Sequence, residues 1–350
     1  MTIRRKQHPW YDFKRIDSYN ATFNFIAGGR GIGKTYGAKK KAIRKAIKTG
    51  EQFIYLRRYK TEITASKTTF FADIGQEFPE YQFRIQGNAA QMAPASSEDD
   101  RKQAWQTIGY FVALSTAQSQ KGVSYHLVTT VIFDEFIIEK GNVQYLPNEV
   151  IVMTNFYSTV DRYQDKTKVY FLANSVSINN PYFDEYGIKP DQDITGEIIS
   201  PSLGIDTKGF IVAHFPDSAD FAMSIYETAF GKFIKNTDYA DYAVGNQFAD
   251  NTNDLVAVKN SNFRYHYTLE TKKNTFSVWY SRVDGEYFIQ KKRPKTELIY
   301  TMLASKMGED KTLILFNDKP LASLRTAFRH ARVTFDEPST RNAFTEIFKR

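Results

Sequence analysis

Residues Gly28-Gly29-Arg30-Gly31-Ile32-Gly33-Lys34-Thr35 spell G-x-x-x-x-G-K-[ST]. The apolar run Thr22 to Ala27 precedes them and reads as a strand. Tyr36 to Lys48 follows, rich in Ala and Lys with Gly50 near its end, and reads as a helix. Glycines at such a junction let the backbone close around an anion with its N–H groups pointing inward. The helix N-terminus adds partial positive charge. Lys34 is then placed to reach β- and γ-phosphates, and Thr35 to ligate Mg²⁺. Gly28, Gly29, Arg30, Gly31, Ile32, Gly33, Lys34, Thr35 and Tyr36 are the candidate binding set. The complete pattern, set between a strand and a helix, commits the first part of the chain to an α/β fold built around a phosphate-binding loop.

A second motif answers the first. Leu127 to Phe133 is nearly continuous in apolar character, as a buried parallel strand is, and it ends in Asp134-Glu135. A carboxylate at the first of these positions suits the Mg²⁺ shell beside Thr35. Glu135 is placed to polarise an attacking water as general base. Many P-loop kinases and GTPases lack the second carboxylate, so the pair favours ATP hydrolysis coupled to mechanical work. Two other classes are a P-loop kinase and a ring-forming nucleic-acid-binding protein with a degenerate ATP site. The intact Lys34, Thr35, Asp134 and Glu135 argue against the latter, and Glu135 with the meander-rich second half argues against the former.

Along the rest of the chain, Gln52 to Leu56, Gln82 to Gln86, Thr107 to Leu114 and Lys168 to Ala173 read as strands, and Pro147 to Thr159 carries helical spacing. Strands alternating with helices imply a parallel sheet of βαβ units. After about residue 200 the texture changes. Gly209 to Phe215 is an alternating strand, and Asp217 to Lys235 is polar and helical. Phe263 to Leu269, Thr275 to Arg282 and Glu286 to Gln290 alternate as a meander turning at Asp284-Gly285. Two helices, Leu321 to Arg332 and Thr340 to Lys349, close the chain. The expected domains are 1–205 (P-loop ATPase), 206–245 (linker) and 246–350 (a small α+β domain).

Composition sets the remaining bounds. The 350 residues suffice for two cores. The net charge of +8 suits a polyanionic partner. The absence of cysteine excludes disulfides and thiolate metal sites. The five histidines are scattered, and His126, His214 and His266 read as core or sheet residues rather than ligands. No apolar run approaches the ~20 residues of a membrane span, so no membrane partner is expected. Arg101, Lys102 and Lys140 are candidate contacts for a polyanion's phosphates, as is the run Lys291-Lys292-Arg293-Pro294-Lys295; a solvated charged face is the competing reading of each.

The P-loop stretch Ala27 to Tyr36, the run Gly50 to Lys60 ending Arg57-Arg58-Tyr59-Lys60, the segment Val131 to Glu139, Tyr145 to Val150 and Asn174 to Ser177 through Asn180-Pro181-Tyr182-Phe183 closely resemble the DNA-packaging ATPases of phi29-like bacteriophages. The likeness covers most of the first 250 residues. It implies a P-loop NTPase domain of the additional-strand, catalytic-glutamate class and an RNase H-like second domain that has lost its catalytic acids. It also implies a homo-oligomeric, pentameric ring motor that drives double-stranded DNA through the portal of a procapsid with ATP. Such a motor works in the host cytoplasm, transiently attached to that procapsid. In the best-known member a structural packaging RNA sits between portal and motor. A terminase-type protein with an active nuclease domain is the alternative. Arg162 matches an arginine finger that reaches the neighbouring subunit's ATP, and Lys121 a second basic residue acting across the interface. Asn174, at the end of the strand beside the catalytic one, stands where a polar sensor of the γ-phosphate or attacking water belongs; it equally suits a cap of the next turn. Arg57 and Lys60 end a strand near the nucleotide and suit coupling of its state to a lid, or a solvated basic edge.

Overall fold

Strand β1 (Phe23–Gly28) is buried along its whole length, because it runs inside a sheet covered on both faces. The protein is described by a computed structural model over residues 10–95, 104–120, 124–138, 144–174, 180–189, 196–201, 209–216, 223, 225–234, 255–272, 274–291, 298–308, 310–345 and 347. It packs as two compact units, 1–250 and 251–350.

The first unit is built on nine strands: β1, β2 (Gln52–Arg57), β3 (Tyr81–Gln86), β4 (Ala89–Pro94), β5 (Gln106–Ala113), β6 (Val128–Asp134), β7 (Lys168–Asn174), β8 (Glu197–Ile199) and β9 (Ile211–Phe215). Their order is β3-β4-β5-β2-β6-β7-β1-β9-β8. The stretch from β5 to β9 is parallel, and the β3–β4 hairpin and β8 add antiparallel edges. Strand β7 lies between the P-loop strand β1 and the acid-bearing strand β6. That inserted strand is the mark of the additional-strand class of P-loop NTPases. The described helices include α1 (Phe13–Asp17), α2 (Lys34–Thr49), α3 (Lys60–Thr69), α4 (Glu149–Asp161) and α5 (Pro181–Tyr186).

Side-chain alternation sorts the core into two layers. Phe23, Phe25 and Ala27 of β1 face one layer with Phe133, Phe136 and Phe171, covered by Met153, Phe156, Tyr182 and Phe183 of α4 and α5. Phe25 stacks on Phe171 with ring centroids 4.1 Å apart. Ile26 faces the other layer with Phe53, Tyr55 and Tyr170, covered by Ala38, Ala42 and Ile43 of α2 and Ile63 of α3.

Strand β9 corrects one expected boundary. Residue 206 was to begin a linker, yet Ile211–Phe215 pairs in parallel with β1 and belongs to the ATPase sheet. Its inward-facing run Ile-Val-Ala-His-Phe is wholly buried, which a linker strand in solvent would not be. The expected helix over 217–235 is described only in part, with Ala229–Ile234 helical. Strand β4 and helix α3 are among the elements that local sequence does not reveal. Strand β4 (AAQMAP) is poor in strand-forming residues and owes its conformation to ladders on both sides. Helix α3 is short, and a Glu62 carboxylate accepting from the Tyr59 N–H starts it.

In the second unit, β10 (Arg264–Glu270), β11 (Thr275–Ser281) and β12 (Glu286–Gln290) form the antiparallel meander that the alternation predicts, with Gly285 at φ 67° in its turn. Three short strands complete the sheet: β13 (Ile299–Thr301), β14 (Lys311–Leu313) and β15 (Val333–Phe335). The order β14-β13-β10-β11-β12-β15 places the first meander strand beside a parallel fourth and fifth strand. That is the arrangement of an RNase H-like sheet. Helices Lys319–Arg329 and Pro338–Thr345 supply Leu321, Leu324 and Phe344 to its core.

Candidate active site at the strand ends

Four neighbouring parallel strands, β1, β7, β6 and β2, end together at Gly28, Asn174, Asp134 and Arg57. In an open α/β sheet this edge is where ligands bind. The phosphate loop runs from β1 into α2, with Gly31 at φ 85° and Gly33 at φ 81°, values that a Cβ disfavours. Gly28 is held for a second reason: a Cβ there would lie 2.6 Å from the Pro216 ring. Ile32 is buried and anchors the loop, while Arg30 is exposed on it.

Lys34 opens α2 and is buried. Its ammonium donates to the Gly28 and Gly29 carbonyls at 2.9 and 2.7 Å, and to Asn174 Oδ1 at 3.4 Å. Asn174 thus meets the P-loop lysine across the β1–β7 ladder. Thr35 Oγ1 donates to Asp134 Oδ1 at 2.9 Å, and Tyr55 Oη donates to the other Asp134 oxygen at 2.6 Å. Burial, then the Asp134 charge, pushes the Tyr55 hydroxyl well above its usual range, so it stays a donor. A hydroxyl and a buried carboxylate held together next to a phosphate loop are the hard oxygen donors that suit Mg²⁺, which binds through few protein ligands plus phosphates.

Glu135 follows Asp134 in the left-handed region, φ 58°, a conformation uncommon for a residue with a side chain. The turn lifts its carboxylate off the sheet edge, where it is half exposed. Arg57 bonds that carboxylate through Nη2, lies 3.6 Å from Asp134 and reaches Glu62 of α3 at 3.4 Å. The surrounding protein raises the Glu135 carboxyl above its ordinary value; the Arg57 charge opposes that shift and the Asp134 charge adds to it.

Arg58, the next residue, was quoted in the sequence only as part of a run, and the structure gives it a central place. It is buried with Glu149, which opens α4. Nε and Nη2 hold the two Glu149 oxygens at 2.7 and 2.9 Å. Nη2 also donates to the Phe136 carbonyl at 2.6 Å and Nη1 to the Glu135 carbonyl at 3.1 Å. Tyr182 Oη and the Leu146 N–H donate to the same Glu149 carboxylate at 2.9 and 2.7 Å. Adjacent arginines therefore grip Glu135 by its carboxylate and by its backbone. A buried cation needs a buried anion; the signal in the sequence was only an Arg at an apolar strand's end, and its partner lies 91 residues away.

Residues 6–350 match the family described as Podovirus DNA encapsidation protein (Gp16). The chain belongs to this family. It is 33% identical to the DNA packaging protein of Bacillus phage phi29 over 344 residues, covering 97% of each chain. It is 34% identical to that of Bacillus phage B103 over 339 residues, covering 95% of this chain and 98% of the relative. Its structure is similar to a solved bacteriophage Phi-29 viral genome packaging motor assembly, with TM-score 0.74 and 32% identity over 97% of this chain and 99% of that one. It is also similar to the N-terminal domain of the phi29 DNA packaging ATPase, with TM-score 0.51 and 36% identity over 61% of this chain and 98% of that domain. The chain is a viral genome-packaging ATPase.

In this packaging ATPase Arg162 is not brought to its own phosphate loop. It caps the C-terminal end of α4 with φ 54° and is exposed. Strand β7 begins six residues later and runs ~20 Å to Asn174. The turn is fixed by buried Asp161, whose carboxylate accepts from the N–H groups of Gln164, Asp165, Lys166 and Thr167. Burial alone would raise that carboxyl, and these donors outweigh it and hold it low. Lys60 is exposed at the first turn of α3. Lys121, Arg101, Lys102, Lys140 and 292–295 lie outside the described residues. Of the histidines, His214 is buried in β9, whereas His126 and His266 are exposed.

In the second unit Glu270 pairs with Lys306 at 3.0 Å and Lys311 at 3.2 Å, and Asp284 accepts from the Ser281 hydroxyl at 2.6 Å. Among the described residues no group of three or more His, Asp or Glu is placed to hold a metal ion, and no helix is long and apolar enough to cross a membrane.

Two outcomes follow from the paired arginines. Glu149→Leu leaves the Arg58 charge buried and unpaired, and costs about 3–5 kcal/mol. Arg58→Met combined with Glu149→Leu costs less than that single change; chemical denaturation of the two variants checks the order. On the reading of Glu135 as general base proposed below, kcat/KM for ATP falls as pH falls through the Glu135 pKa of the free enzyme. Arg57→Gln removes the charge that lowers this pKa, and the acid limb of the kcat/KM profile moves to higher pH. A limb that stays in place or moves down separates Arg57 from Glu135.

Proposed function

We propose that the chain is the ATP-hydrolysing subunit of a ring motor that drives double-stranded DNA into a viral procapsid. The observation that carries this reading is the meeting of Lys34, Thr35, Asp134, Glu135 and Asn174 at adjoining strand ends, in a chain whose length is matched by phage packaging proteins. Lys34 and the N–H groups of Gly29 to Tyr36 hold the phosphates. Thr35 and Asp134 hold Mg²⁺, which supplies charge neutralisation on the phosphates when bound. Asn174 senses the terminal phosphate through the lysine side. Glu135 takes the proton of the attacking water, and Arg57 releases or holds the Glu135 carboxylate as the nucleotide changes. Arg57, Lys60 and Lys121 complete the basic surround of the nucleotide.

Arg162 acts in trans. Its exposed turn, at the far end of β7 from its own phosphate loop, supports delivery to a neighbouring subunit. A guanidinium fixed against the transferring phosphoryl group is worth ~10³–10⁵ in rate in nucleotide hydrolases. The homo-oligomer is a pentamer docked on the portal, with a structural RNA as a further partner, and the motor works at the procapsid in the host cytoplasm. The second unit, in which Glu270 is engaged by two lysines and Asp284 by a serine, binds nucleic acid or portal without cutting DNA.

Long double-stranded DNA stimulates ATP turnover by the wild-type protein. Glu135→Gln binds ATP and does not turn it over, whereas Lys34→Ala loses binding and rate together. Arg162→Ala retains ATP binding and loses the stimulation. Rings mixed from Glu135→Gln and Arg162→Ala subunits recover part of the turnover, because some interfaces pair an intact base with an intact finger. Mixed rings that form and stay inactive at every ratio place Arg162 outside the neighbour's site.

A further inference from the structure

We propose that Asp161 is the positioning residue of Arg162: its carboxylate holds the backbone turn that aims the guanidinium at a neighbouring subunit's nucleotide. This rests on the reading of Arg162 as a group that acts in trans. Asp161 is the last residue of α4 and is 1% exposed. Its Oδ2 accepts from the N–H groups of Gln164 and Asp165, both at 2.9 Å, and its Oδ1 from those of Lys166 and Thr167 at 3.0 and 2.9 Å. One carboxylate therefore gathers four successive donors and closes the chain around itself.

The conformation that it closes is costly. Arg162, Tyr163 and Asp165 all lie in the left-handed region, at φ 54°, 58° and 52°. A Cβ disfavours that region, and a bulky side chain such as that of Tyr163 adds to the strain. A helix that only had to stop would end on glycine at its left-handed position; here Arg162 fills that position. A carboxylate at a helix C-terminus also meets the negative end of the helix dipole. Local stability thus favours neither residue. Together they hold an exposed arginine on a fixed backbone.

Both ends of the turn are tied down. On the near side the Arg162 N–H donates to the Ser158 carbonyl at 3.0 Å and ends α4. On the far side Lys166 Nζ donates to the His126 carbonyl at 2.8 Å, and Thr167 Oγ1 to the Val128 carbonyl at 3.2 Å, at the start of β6. The Arg162 guanidinium is exposed and has no hydrogen-bond or ion-pair partner among the described residues. Its direction is therefore set by its backbone, and the carboxylate that fixes that backbone decides where the charge can reach. A group that stabilises a reacting phosphoryl acts through its position, and a misplacement of ~1 Å costs ~10²-fold in rate.

The test measures ATP binding and DNA-stimulated turnover by rings of the full-length protein. Asp161→Asn keeps the size of the side chain and replaces one accepting oxygen by an amide nitrogen that cannot accept. It binds ATP within about twofold of wild type and loses ~10²-fold in turnover. Combined with Arg162→Ala it turns over no more slowly than Arg162→Ala alone. Rings mixed from Asp161→Asn and Glu135→Gln subunits recover part of the turnover, whereas Asp161→Asn mixed with Arg162→Ala gains nothing. If Asp161→Asn does not fold, Asp161→Asn with Tyr163→Gly replaces it, since glycine takes the left-handed turn without strain; that pair turns over about tenfold or more below Tyr163→Gly alone. Wild-type turnover by Asp161→Asn, or turnover by the pair equal to that of Tyr163→Gly, overturns the proposal. Mixtures of Asp161→Asn with Glu135→Gln that stay inactive, where Arg162→Ala with Glu135→Gln recovers, overturn it too and assign Asp161 to the fold of its own subunit. If both mixtures form rings and stay inactive, the reading of Arg162 in trans is what fails.

Discussion

Arg58 places a full positive charge inside the first unit, and the surroundings of that charge organise the catalytic edge. A buried guanidinium is tolerable only when its donors are met by acceptors at good geometry. Here the acceptors come from three places: both oxygens of Glu149, the Glu135 carbonyl and the Phe136 carbonyl. One side chain just past the end of β2 therefore fixes the start of α4 and the path of the chain leaving β6. Tyr182 of α5 completes the carboxylate, and the Tyr145 ring lies 4.9 Å from the guanidinium. Were this pair lost, Glu135 would keep its sequence position next to Asp134 but not the left-handed turn that aims it.

The same arrangement joins the two ends of α4. Its first residue is the Arg58 partner, and its last turn leads into the Asp161-pinned loop that presents Arg162. A helix of 13 residues transmits a displacement along ~20 Å with little loss, since its hydrogen bonds run along its axis. Glu149, the partner of Arg58, and the exposed Arg162 thus stand at opposite ends of one helix. Arg57 adds a switchable contact at the near end. It divides itself among Asp134, Glu135 and Glu62.

The second unit keeps an RNase H-like strand order, and two of its acids, Glu270 and Asp284, are held by neighbours within the unit. Glu270, at the end of the central strand β10, is neutralised by Lys306 and Lys311, whose charges outweigh burial and hold its carboxyl low.

The chain's local chemistry declares the phosphate loop, the Asp134-Glu135 strand end, the long strands and the meander, because each depends on neighbours in sequence: glycines that permit a turn, apolar runs, alternation. Arg58, Glu149 and Asp161 carry no such local mark. Their roles come from contacts across tens to hundreds of residues, made only once β2, β6 and β7 lie side by side. The short strands β13, β14 and β15 are likewise invisible to periodicity, being three residues each; a parallel ladder with a distant strand is what makes them strands. Strand β9 appeared as a strand in the sequence, but only pairing with β1 decided that it belongs to the ATPase sheet. Local sequence was enough to mark the phosphate loop and the acidic strand end. Tertiary structure decided how they are held, since a buried charge and a left-handed turn are stable only where distant parts of the chain supply their partners.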